Sequence, residues 1–189
     1  MILGANTSGT ETTAVLVEVS GRNLTVLADW VSPLMPNEAI PDIAHLIRAV
    51  YPERSITAWV PGDVFDQVGR NPLVAALRSV GYKPNRGENA IMSRGSLSPQ
   101  IRTSMNGRRM LLVDENARHT LRALAGEYKF PVKPGGERGA EPERGPDRTL
   151  IEALETLTLA MSKPNNAALS AQTNAVNSTG TRYLSALPR

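Results

Sequence analysis

The stretch LGANTSGTETTAVLVEV, from Leu3 to Val19, reads as an extended run, a polar turn around Gly9, and a second extended run. Residues 13 to 19 (TAVLVEV) and 24 to 30 (LTVLADW) are rich in β-branched and alternating apolar types, with Gly21, Arg22 and Asn23 as a turn between them. Together with residues 1 to 5 they predict an antiparallel meander of three strands. From Asn37 the period changes: Ile40, Ile43, Ala44, Ile47 and Val50 form the apolar stripe of a helix. Residues 55 to 60 (SITAWV) predict a fourth strand that stops at Pro61 and Gly62. In NPLVAALRSVG, Asn71 can cap a helix, Pro72 suits its first turn and Gly81 its exit.

Beyond Gly81 the signals shorten. Residues 82 to 84 and 110 to 113 (MLLV) predict brief strands, and residues 86 to 107 are polar and irregular. Asp114 is placed to cap a helix with Ala117, Leu121, Leu124 and Ala125 on one face and Gly126 at its end. YKFPV predicts extended chain, and residues 133 to 145 (KPGGERGAEPERG) a charged loop. A last helix from Thr149 to about Met161 would bury Leu150, Ala153, Leu154, Leu157 and Met161. Antiparallel strands followed by alternating helices and strands imply a mixed sheet with helices on both faces.

Composition narrows the function classes. The 189 residues suffice for one domain with a sizeable core, and the 41% hydrophobic and 21% charged content is that of a soluble globular chain. Without cysteine there is no disulfide, thiolate metal site or cysteine nucleophile. No apolar run approaches a membrane span and no basic-then-apolar leader opens the sequence, so no membrane association is expected. Aromatic residues make up only 4%, too few for a base-stacking platform. The net charge of +3 resides in residues 162 to 189, where Lys163, Arg182 and Arg189 meet no acid. Residues 78 to 109 carry seven basic side chains against Glu88 alone, a local basic stripe in an otherwise neutral body.

The blocks LVAALRSVGYKPNRGENA, SPQIRTSMNGRRMLLVDENARHTLRALAGEYKF and EPERGPDRTLIEALETL, between residues 73 and 157, resemble in order and spacing the C-terminal nuclease domain of tailed-phage large terminase subunits. The resemblance extends loosely to residue 1 and implies an α/β, ribonuclease H-like mixed sheet over residues 1 to 161, with 162 to 189 as an extended C-terminal arm. It also implies two divalent cations held by carboxylates on neighbouring strands and a helix, which activate water and stabilise the leaving oxygen. Carried over by position, the first acid falls on Asn6, the second on Val60 and the third on Glu152, while the family's histidine is Thr149. One carboxylate of three remains. The chain has no G-x-x-x-x-G-K-[ST] motif, so the ATPase half of a terminase is not expected.

Each of these positions also has a plain structural reading. Asn6 suits a turn, and Glu152 closes the capping box TLIE with Thr149. Asp63 and Asp66 follow a Pro-Gly turn as exposed loop acids; His45 and His119 lack the partners of a zinc site or triad. Arg94, Arg102, Arg108 and Arg109 form either a solvated face or a phosphate-contacting one.

The resulting expectation is an inactive terminase-nuclease-like protein, serving as a structural or accessory component of a phage virion and using no cofactor. Its arm, poor in apolar residues, would grip other virion proteins or copies of itself through Tyr183, Leu184 and Leu187. The alternatives are an endonuclease of the packaging machinery, holding Mg²⁺ or Mn²⁺ through Glu152 with Asp63, Asp66 or Asp147, and a DNA-binding packaging accessory.

Overall fold

The computed structural model describes residues 1–8, 10–20, 23–67, 71–89, 111–127, 132, 134–136, 142 and 145–162. The expected meander is present: β1 (Ile2–Ser8), β2 (Glu11–Ser20) and β3 (Asn23–Ser32) pair antiparallel, with Asn6 opposite Thr13 and Ser8 opposite Glu11. Leu27 is the extra residue of a bulge in β3, where the register shifts between Leu16 and Val17. β4 (Thr57–Val60) joins β1 in parallel, β5 (Lys83–Arg86) joins β4, and β6 (Leu111–Val113) joins β3. The six strands lie in the order β5-β4-β1-β2-β3-β6. β1 therefore has neighbours on both sides.

Helices cover both faces. On one, α1 (Pro36–Val50), α2 (Gly62–Phe65) and α3 (Pro72–Ser79) enclose Leu3, Ala5, Ala14, Leu16, Ala58 and Val60. On the other, α4 (Arg118–Arg122) and α5 (Pro146–Ser162) enclose Ile2, Val15, Val17, Leu24, Val26 and Trp59. Two cores explain why β2 reads as the near-continuous run AVLV: each alternate residue finds an apolar partner.

The caps of α3 are as its sequence predicts. Asn71 Oδ1 accepts from the amides of Leu73 and Val74 at 3.0 and 3.2 Å, and Gly81 takes a φ of +82° after the helix. The cap of α4 differs from expectation. Asp114 instead makes a local turn, its Oδ1 accepting from the Asn116 amide at 2.9 Å. The start of α4 is capped from β3, where Asp29 accepts from the amides of His119 (3.4 Å) and Thr120 (2.5 Å). This docking rotates α4 so that Ala117, Thr120 and Ala123 are buried, while Leu121 and Ala125 of the expected stripe are exposed. The chain kinks at Gly126, whose φ of +140° is not helical.

α5 also departs from expectation. It begins at Pro146, three residues before Thr149, and runs through Ser162. Every residue from Thr149 to Thr158 is buried, including Glu152, Glu155, Thr156 and Thr158. Two glycines let α5 sit this close: a Cβ on Gly4 would stand 2.8 Å from the Ala153 carbonyl oxygen, and one on Gly87 would overlap Thr156 Cγ2. Replacing Asp29 with Ala should lower stability by about 1 to 2 kcal/mol in urea unfolding, with the His119 and Thr120 amides losing hydrogen-exchange protection first.

Candidate functional site

Strand alternation decides which side chains can meet. Along β1, Leu3 and Ala5 face α1 and α3, whereas Ile2, Gly4 and Asn6 face α5. Asn6 is thus a buried strand residue, 2% exposed, and not the turn residue that its type suggests. Its Nδ2 donates to the Thr149 carbonyl at 3.2 Å and lies 3.5 Å from Glu152 Oε2, while its Oδ1 accepts from the Thr7 amide at 2.8 Å.

Glu152 does not cap. Because α5 starts a turn earlier, the Thr149 amide already donates to the Gly145 carbonyl, and no box can form. The Glu152 carboxylate points instead to β1 and pairs with Arg148, whose Nε donates to Oε1 at 2.8 Å. Arg148 Nη1 also reaches the Pro142 carbonyl at 3.4 Å. The site is an amide, a carboxylate and a guanidinium at the exit of the central strand.

The second expected position is placed differently. The Val60 side chain lies in the core beneath α1 and α3, on the opposite face from Asn6. A carboxylate facing α5 from β4 would need to stand at Trp59 or just past the strand at Pro61, and both are buried and uncharged. A one-residue difference along a strand changes the face, so Val60 points away from Asn6 and Glu152.

The alternative acids are spread around the site. Asp63 is exposed in α2. Asp66 is held by Arg86, whose Nε lies 2.9 and 2.8 Å from its two carboxylate oxygens and whose Nη2 lies 2.5 Å from Oδ2. Asp147 pairs with Arg122 of α4 at 3.6 Å, and Arg122 in turn lies 3.3 Å from His119 Nδ1. Among the described residues, no group of three or more acidic, histidine or cysteine side chains is placed to share a metal ion. Glu155 is the residue that sequence reasoning missed: it is 3% exposed, one turn along α5 from Glu152. The spacing IEALE inside an apolar helix was its signal. Arg94, Arg102, Arg108 and Arg109, and Tyr183, Leu184 and Leu187, lie outside the described residues.

A central strand flanked by an antiparallel meander and parallel strands, with a buried helix crossing its exit, has clear structural counterparts. The large terminase of a thermophilic bacteriophage, solved in complex with ATP-gamma-S, matches with a TM-score of 0.59 at 15% identity, over 83% of this chain and 38% of that one. The fold is that of large terminase nuclease domains. The human cytomegalovirus terminase nuclease domain, soaked with manganese, matches over 87% of this chain and 83% of its own, with a TM-score of 0.52 and 11% identity. The large terminase nuclease of the thermophilic phage G20c with bound cobalt gives 0.50 at 15% identity, over 86% and 80%. No protein-family model and no curated protein sequence matches the chain. It is ribonuclease H-like, and spans 38% of the length of the terminase solved with ATP-gamma-S.

Beside this site, the Arg86 hydrogen bonds, reinforced by its charge, hold the Asp66 carboxyl below its ordinary value of 3.8. A depressed carboxyl contributes stability above its unfolded pKa and loses it as pH falls through the folded one. Solvent exposure of both partners keeps that contribution small and salt-sensitive. An NMR titration should find Asp66 ionising below 3.8, and Arg86→Ala should move it upward.

Proposed function

We propose that this chain is a catalytically inactive protein of terminase-nuclease fold, serving as a structural or accessory component of a phage particle, in the capsid or the head–tail region. The observation that carries this reading is the Glu152 carboxylate, which faces the Asn6 amide and is already paired with Arg148. Two divalent cations need several anionic oxygens in a common sphere, because Mg²⁺ and Mn²⁺ favour hard oxygen ligands and their mutual repulsion must be screened. Here Asn6 supplies an amide, β4 presents no acid toward α5, and Glu152 is neutralised. That donor set does not fit a metal pair, so hydrolysis by metal-activated water is not expected.

The terminase neighbours support a place near the packaging apparatus, with other virion proteins, copies of this chain or DNA as partners. The segment from 162 to 189, rich in Asn, Ser, Ala and Thr, would act as the gripping arm, its ordering entropy offset by contacts on the partner. Supercoiled plasmid incubated with Mg²⁺ or Mn²⁺ should remain uncut, and Glu152→Ala should leave that result unchanged. Metal-dependent nicking lost in Glu152→Ala would establish the endonuclease instead. Deleting residues 165 to 189 should abolish incorporation into particles; normal incorporation would remove the arm from the account.

A further inference from the structure

We propose that Arg148 is a tethered cation that takes the place of a metal ion at Glu152, so that this site is electrically complete without any divalent ion. The inference deepens the inactive reading and rests on it. Local helix physics does not account for the pair. Arg148 stands in the first turn of α5, where the helix dipole disfavours positive charge, and it precedes its acid by four residues, the weaker order on an isolated helix. The tertiary environment places it there. Glu152 has a side chain only 10% exposed, lying against β1, and a carboxylate so enclosed needs a countercharge.

Arg148 meets that need through Nε and is anchored through Nη1. Nε donates to Glu152 Oε1 at 2.8 Å, and Nη1 reaches the Pro142 carbonyl at 3.4 Å, linking α5 to the chain that leads into it. The second carboxylate oxygen faces Asn6 Nδ2 at 3.5 Å, a position where a second acid would repel and an amide donates. Guanidinium is weakly hydrated and always charged, whereas Mg²⁺ gives up its water reluctantly. Held by its own backbone four residues away, the guanidinium meets the carboxylate at high effective concentration. A divalent ion binding at Glu152 Oε1 would compete with it for that oxygen. Asn6 and Arg148 are thus two parts of one substitution, the amide removing a charge that the metal would have balanced and the arginine balancing the one that remains.

The test compares the whole chain with Arg148→Gln, Arg148→Lys and the double variant Arg148→Gln/Glu152→Gln. Mn²⁺ binding is read by paramagnetic resonance, and thermal unfolding is followed with and without Mn²⁺. Arg148→Gln should unfold at lower temperature, regain part of the loss with Mn²⁺, and bind Mn²⁺ at least about tenfold more tightly than the unaltered chain. Arg148→Lys should keep the insensitivity to Mn²⁺. The double variant should be more stable than Arg148→Gln and indifferent to the ion. The proposal is overturned if folded Arg148→Gln binds Mn²⁺ no more tightly than the unaltered chain. If Arg148→Gln does not fold, the double variant decides: recovered folding supports the tethered cation, and equal failure sinks it. DNA cleavage by the unaltered chain would instead overturn the inactive reading, a separate measurement from this comparison of Mn²⁺ affinities.

Discussion

The close seating of α5 on β1 is the constraint from which the rest of the structure follows. Gly4 has no Cβ, so the Ala153 backbone can approach the strand to a distance that any side chain would block. Gly87, just past β5, does the same for Thr156 further along the helix. Once α5 lies against β1, β2 and β4, residues 149 to 158 are buried, and the polar ones among them must find partners inside the protein. Asn6 with the Thr149 carbonyl, Arg148 with Glu152, and Thr158 with the Leu154 carbonyl are such partnerships.

The same seating holds the fold together independently of the charges at the site. Nothing in the sheet order, the two apolar cores or the glycine contacts requires a carboxylate at Asn6. Two acids facing each other beside β1 would repel unless a cation lay between them. Here an amide lies opposite one acid, which an internal guanidinium pairs. The ionic pairs around the site, Arg86 with Asp66 and Arg122 with Asp147, likewise commit to internal partners two acids of the kind that serve as ligands. Fold and site are separable here because apolar burial carries the former and a handful of charges the latter.

Much of the fold was legible. The meander of β1 to β3 follows from β-branched alternation and the turn after Ser20, and α1 from its stripe of Ile40, Ile43, Ala44 and Ile47. The caps of α3 follow from Asn71, Pro72 and Gly81, each a residue whose local chemistry serves one position. The start of α5 is ambiguous in the sequence: Pro146 suits the first position of a helix, but TLIE offers a competing local signal three residues later. The cap of α4 could not be read locally. Its donor groups lie some ninety residues from Asp29, and no pattern in the sequence links them.

By itself the sequence determined a two-faced α/β sheet and the residue types available to it, since composition and periodicity settle how many charges exist and which runs are extended or helical. Only the tertiary structure decided which of those residues meet. It turned Asn6 inward and Val60 away, because facing along a strand changes with every residue and register is set by pairing with neighbours. It moved Glu152 from a cap to a buried pair with Arg148, because burial of the whole helix made a countercharge necessary where local helix preferences alone would not have placed one.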